Sequence, residues 1–121
     1  MGLDMYTNTT KRRLKSEIDF PPRSADQPLH CWRKHPNLHG WMEHLYRSKG
    51  GRKDFNCATV QLMPNDIDLL EMVIAKGKLP KTSGFFFGKS DGREREDDLA
   101  FIAKARAAFA QGLKVYYLSW W

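Results

Sequence analysis

The chain has 121 residues, which is one domain's worth: room for a single modest core and not for two. A hydrophobic share of 41 % beside 28 % charged residues is ordinary globular composition and excludes disorder throughout. The formal charge of +6 favours anionic partners such as phosphates, nucleic acid or acidic protein surfaces, without choosing among them. All of that excess lies in residues 1–53, so the remainder is neutral. Cys31 and Cys57 offer no disulfide framework, no CxxC and no metal spacing, as suits a reducing compartment. No apolar run reaches the roughly 18 residues of a membrane span and the start lacks a signal-peptide core, so the expected location is cytoplasmic, with no membrane partner.

Residues 1–16 mix Thr, Asn, Lys and Arg with few apolar anchors and read as a mobile basic arm; residues 17–121 read as a single α+β domain. Glu17-Ile18-Asp19-Phe20 alternates polar and apolar as a short edge strand would, and Pro21-Pro22 ends it. From Pro21 to Leu29 three prolines make an extended connector. Pro36 suits a first helical position, and Leu38, Trp41, Met42 and Leu45 then make an i, i+3, i+4, i+7 stripe in a helix over 36–48. Gly50 and Gly51 stop it in a basic loop.

Phe55 to Leu62, with Thr59-Val60 at its centre, predicts a strand ended by Pro64. Asn65 or Asp66 caps a second helix through about Lys76, with Ile67, Leu70, Val73 and Ile74 on one face. A third helix opens at Ser90 or Asp91, with Leu99, Ile102, Ala103, Phe109 and Ala110 inward and Gly112 at its end. Arg106 interrupts that inner face and must find a carboxylate, a ligand or solvent. Leu113 to Trp121 reads as a closing strand, giving a small antiparallel or mixed sheet packed with about three helices.

The stretch Thr82-Ser83-Gly84-Phe85-Phe86-Phe87-Gly88-Lys89-Ser90 stands apart. As a strand it places Phe85 and Phe87 on one face and Phe86 on the other, with glycine turns and hydroxyl or cationic groups at both mouths. Either this is a core strand with ordinary turns, or an apolar wall with polar lips of the kind that lines small-ligand pockets. Combined with Trp32, Arg33, Lys34, His39 and Trp41, the second reading supplies flat faces, a guanidinium fork and a point charge. Those groups suit a phosphorylated, nucleotide-like anion. The expected ligand-binding set is therefore Trp32, Arg33, Lys34, His39, Trp41, Thr82, Ser83, Phe85, Phe87, Lys89 and, by ligand contact from the third helix, Arg106.

No catalytic set is expected, because the acids cluster at the start of the third helix, where the dipole already explains them. No metal or other cofactor is expected either, since His30, His35, His39 and His44 give only one i, i+4 pair, without a Glu beside its first member.

Trp32-Arg33-Lys34, His39 with Trp41, Leu79-Pro80 leading into Gly84-Phe85-Phe86-Phe87-Gly88, and Tyr116-Tyr117 with Ser119-Trp120 resemble, in order and separation, a widespread family of small bacteriophage proteins. The likeness spans roughly residues 30–121. Members are often labelled phosphoglycerate kinase, yet the chain has neither the length of a two-lobed kinase nor a GxxxxGK[ST] loop. The resemblance implies phage origin and a host cytoplasm. The first functional expectation is thus a non-enzymatic phage accessory protein that sequesters a nucleotide-like small molecule, such as a host antiviral signal. A second is a nucleic-acid-binding module using the basic amino-terminal half, and a third a protein-interaction module or homodimer built on exposed Tyr116, Tyr117, Trp120 and Trp121.

Overall fold

The computed structural model describes residues 2–84 and 87–121. In chain order its elements are β1 (Asp4–Thr10), β2 (Gln27–Arg33), α1 (Pro36–Ser48), β3 (Val60–Leu62), α2 (Pro64–Ala75), α3 (Arg95–Ala110) and β4 (Lys114–Trp120). The strands form one antiparallel sheet in the order β2-β1-β4-β3, so the fold is the expected α+β. No helix among the described residues is long and apolar enough to cross a membrane.

The amino-terminal segment corrects the reading of a mobile arm. Residues 4–10 are a central strand, paired with β2 on one side and β4 on the other. Its inward residues are Met5, Thr7 and Thr9, all buried. Two of the three are threonines, so the period-2 signal is masked; the Thr7 hydroxyl settles its burial by donating to the His30 carbonyl at 2.9 Å. The supposed connector that follows it is also shorter than expected, because its last residues, from Gln27, already belong to β2.

β3 keeps only Val60–Leu62 of the strand expected over 55–62. Upstream of it Cys57 takes a positive φ of 64°, which breaks the extended run, and its N–H bonds the Ser119 carbonyl at 2.7 Å. The edge strand expected at 17–20 is reduced to one bridge between Ile18 and Val60.

α1 spans the residues its stripe predicts, with Pro36 at the first position and Leu38, Trp41 and Met42 buried. Its exit depends on close packing. A Cβ on Gly51 would come within 2.3 Å of the Tyr46 ring, which is fully buried and cannot yield. Gly51→Ala is therefore expected to destabilise the fold by about 1–3 kcal/mol, the usual range for overpacking, read as a lower urea midpoint.

α2 starts one residue before the expected cap. Pro64 is its first residue, and Asp66 sits inside the first turn, where its carboxylate accepts the Met63 N–H at 2.8 Å. α3 starts later than expected, at Arg95, because the Glu94 carboxylate takes the N–H groups of Asp91 and Gly92 at 3.1 and 2.9 Å and holds them in a turn. The buried face of α3 is Asp98, Phe101, Ile102, Ala105 and Ala108, while Ala103 and Ala110 are exposed. A buried aspartate and small alanines carry that face, so the apolar stripe points slightly to one side of it.

The helices pack on a single face of the sheet. Met5, Trp32, Val60, Val115 and Tyr117 from the strands join Leu38, Met42, Ile67, Leu70, Phe101 and Ile102 from the helices in one core. By register, Tyr6, Cys31, Leu118 and Trp120 fall on the opposite face.

Candidate nucleic-acid interface

The outer face of the sheet is half covered. The chain between β1 and β2 crosses it and lays Phe20 edge-on against Tyr116 at 5.0 Å. Asp26 fastens this crossing: its carboxylate receives the Tyr116 hydroxyl at 2.5 Å, the Arg12 guanidinium at 3.1 Å and the Arg23 N–H at 3.1 Å. Burial pushes the Asp26 carboxyl up, but the hydrogen bonds from Arg12, Tyr116 and Thr10 outweigh it and hold the group well below the usual carboxylate range.

The other half of the face is open. Tyr6 on β1 is 41 % exposed and Trp120 on β4 is 69 % exposed. Asp4 pairs with Trp120 and Tyr6 with Leu118 in the ladder, so the two aromatics are diagonal neighbours on the two central strands, roughly 7–8 Å apart in such a register. Arg33 on β2 extends beside them, its Nε 3.1 Å from Asp4. The crossing segment adds exposed Lys11, Arg13, Lys15 and Arg23. Two hollows flank Arg12, one of about 540 Å³ with Lys11 and Arg23 in its wall, and one of about 600 Å³ with Arg13, Lys15 and Arg23. Flat faces toward one end of the outer sheet face and a run of cations leaving β1 at its other end thus supply the two components that single-stranded nucleic acid requires.

The residues expected to form a nucleotide pocket fall in several places. The two segments do meet: Gly88, at φ 74°, lies where a Cβ would come within 2.9 Å of the Lys34 side chain, and Thr82 N–H bonds Asn37 Oδ1 at 3.1 Å. Arg33, Lys34, Ser83 and Lys89 are exposed around that junction and Thr82 is half-buried. The described aromatics, however, turn inward. Trp32, Trp41 and Phe87 are all buried, so none of them offers a face to a base; Phe85 lies outside the described residues.

The chain does not run as a strand on either side of those phenylalanines. Phe87 N–H bonds the Gly84 carbonyl at 3.2 Å, Gly88 turns the chain away at positive φ, and the Phe87 ring is seated in the core. His39 sits among the rings of Phe55, Phe87 and Tyr117, with its Nδ1 2.7 Å from the Tyr117 hydroxyl. Burial pushes its pKa down to about 4, so at neutral pH it is an uncharged core group. Arg106 lies away from this junction and pairs with Asp68 at 2.9 Å and Glu71 at 2.8 Å across the α2–α3 seam, the carboxylate solution to its position. Tyr116 and Tyr117, expected at an exposed contact, are buried; of that aromatic group Trp120 alone is largely exposed, and Trp121 is half-buried.

Tyr6 was hidden from sequence reasoning by the assignment of its segment to an arm. The signal available was the alternation of Asp4, Tyr6 and Asn8 with Met5, Thr7 and Thr9, which becomes a strand once threonine is allowed on the inward face. No protein-family model matches the chain, and neither a curated protein nor a solved structure matches it.

Proposed function

We propose that the protein binds single-stranded nucleic acid on the open half of its sheet. The observation that carries this reading is the exposure of Tyr6 and Trp120, side by side on the two central strands of a sheet whose opposite face is filled by the helical core. Two successive bases stack on these rings, while the phosphates run toward Arg33 and the cations of the crossing segment. A four-stranded sheet with aromatics on its open face is a recurrent platform for unstacked bases, and base–aromatic stacking tolerates sequence. The +6 charge supplies the attraction. A free nucleotide engages the same chemistry with only one stack and fewer phosphates, so it binds more weakly.

Fluorescence anisotropy with labelled 15-mer DNA and RNA at several salt concentrations tests the proposal. Affinity should fall linearly with salt on a log–log plot, and Arg13→Gln with Lys15→Gln should flatten the slope by about 1–2. Trp120→Ala and Tyr6→Ala should each weaken binding by about 5- to 100-fold, following the measured worth of one stacked base. No binding at low salt, or binding that both aromatic variants leave unchanged, would refute it. A mass that rises with concentration and is unaffected by salt would instead assign the same rings to self-association.

A further inference from the structure

A relay of Ser90, His35 and Asp98 lies at the head of α1, well away in role from the sheet face. Ser90 Oγ is 2.6 Å from His35 Nδ1, and His35 Nε2 is 2.8 Å from one Asp98 carboxylate oxygen. The other Asp98 oxygen accepts the Trp32 indole N–H at 3.0 Å. Asn37 donates its backbone N–H to Ser90 Oγ at 3.1 Å. An ionised carboxylate only accepts, so Nε2 donates to Asp98; in the neutral imidazole Nδ1 is then the acceptor, to which the serine hydroxyl donates.

The burial of the three groups is graded. The side chains of His35 and Asp98 are 3 % and 2 % exposed, whereas Ser90 is half-buried. All three border a cleft of about 220 Å³ whose wall also includes Asn37, Ile74, Leu79 and Arg95. A purely structural role would need less. Capping α1 requires only the hydroxyl and the Asn37 N–H; it does not require an imidazole aimed at that hydroxyl with a fully buried carboxylate behind it. Nucleophile, base and orienting carboxylate in sequence, opening on a cleft, is the order of groups by which serine is made reactive, here with Nδ1 facing the hydroxyl and Nε2 the carboxylate, the reverse of the usual serine-hydrolase ring orientation.

We propose that Ser90 is a nucleophile, with His35 its general base and Asp98 the residue that positions the ring, and that the cleft hydrolyses carboxylic esters of short acyl groups. Ser90 Oγ forms a bond to the acyl carbon as its proton passes to His35 Nδ1. The carbon–oxygen bond to the alcohol then breaks, and the departing alkoxide takes that proton. Water repeats the sequence on the acyl-serine, releasing the carboxylic acid and restoring the hydroxyl. Asn37 borders the same cleft, and its Oδ1 is engaged by the Thr82 N–H at 3.1 Å. The cleft is smaller than the usual small-ligand pocket of about 300 Å³ or more, which limits the acyl group to a few carbons.

The test is labelling of the whole chain with a fluorophosphonate, which exchanges fluoride for the serine oxygen, alongside p-nitrophenyl acetate hydrolysis. The expected result is one phosphonyl group per chain, mapped to Ser90 and missing in Ser90→Ala. In Asp98→Asn both rates should fall by about 100-fold or more with an unchanged circular dichroism spectrum. His35→Gln should abolish both, which supplies a second variant where the first fails to fold. An unlabelled wild-type protein with hydrolysis no faster than Ser90→Ala, or a label on any other residue, would overturn the proposal without recourse to a variant.

Discussion

The urea midpoint of the wild-type protein should fall steadily as pH is lowered from about 6.5 to 4, and the decline should be largely lost in His39→Gln. His39 is buried as a neutral ring with a pKa pushed down to about 4, while the unfolded chain offers an ordinary imidazole near 6.5. Because the folded value is the lower one, the unfolded state takes up a proton first on acidification, and stability is lost through that window. Above about 6.5 both states are neutral and the effect vanishes; below about 4 both are protonated and it levels off. A separation of this size corresponds to about 3 kcal/mol, a large fraction of a small domain's total stability. Asp26 acts in a different range: its folded pKa is depressed, so its contribution is present above about pH 4 and is lost only under stronger acid. Urea melts at pH 7, 5.5 and 4.5 separate the two groups. A midpoint independent of pH across that span would contradict the buried neutral ring.

Phe87→Ala should destabilise the fold by about 3–5 kcal/mol, as expected when a fully packed aromatic is removed. Phe87 is 6 % exposed and wedged edge-on against His39 at 5.1 Å and Trp121 at 5.1 Å. Gly84 completes the socket, since a Cβ there would lie 2.5 Å from the Phe87 ring. The same substitution opens the wall that desolvates His39, so its pKa should climb back toward 6.5 and the pH slope should shrink. The two effects are one coupling. A double-mutant cycle with His39→Gln should show an interaction energy above about 0.5 kcal/mol, and strict additivity would place the two side chains in separate environments.

How far the sequence reveals this molecule depends on whether polar residues share the buried faces. α1 could be read to the residue because Pro36 marks its start and Leu38, Trp41 and Met42 point one way. β4 was visible through its aromatics, within a residue at each end. β1 was lost because Thr7 and Thr9 occupy core positions, and the inner face of α3 was displaced because Asp98 lies in the middle of it. Of the residues that composition grouped into one cleft, Lys34 and Gly88 do lie together; the inward turn of Trp32 and Phe87 was not legible, since an indole or phenyl ring reads alike in a pocket wall and in a core. The Ser90 relay was invisible for another reason. His35 stands 55 residues from Ser90 and 63 from Asp98, with no local motif joining them, and only the docking of α3 against β2 brings them together.

The pairing of residues 4–10 with 114–120 also has a consequence for biosynthesis. The ribosome releases β1 more than a hundred residues before β4, its neighbour on one side. Until β4 emerges, β1 has a bare edge and the hydrophobic side of the β1–β2 ribbon has few partners, a condition that invites holdase chaperones and intermolecular pairing. Closure then joins segments more than a hundred positions apart, which puts this domain among slow, non-locally connected folders despite its small size.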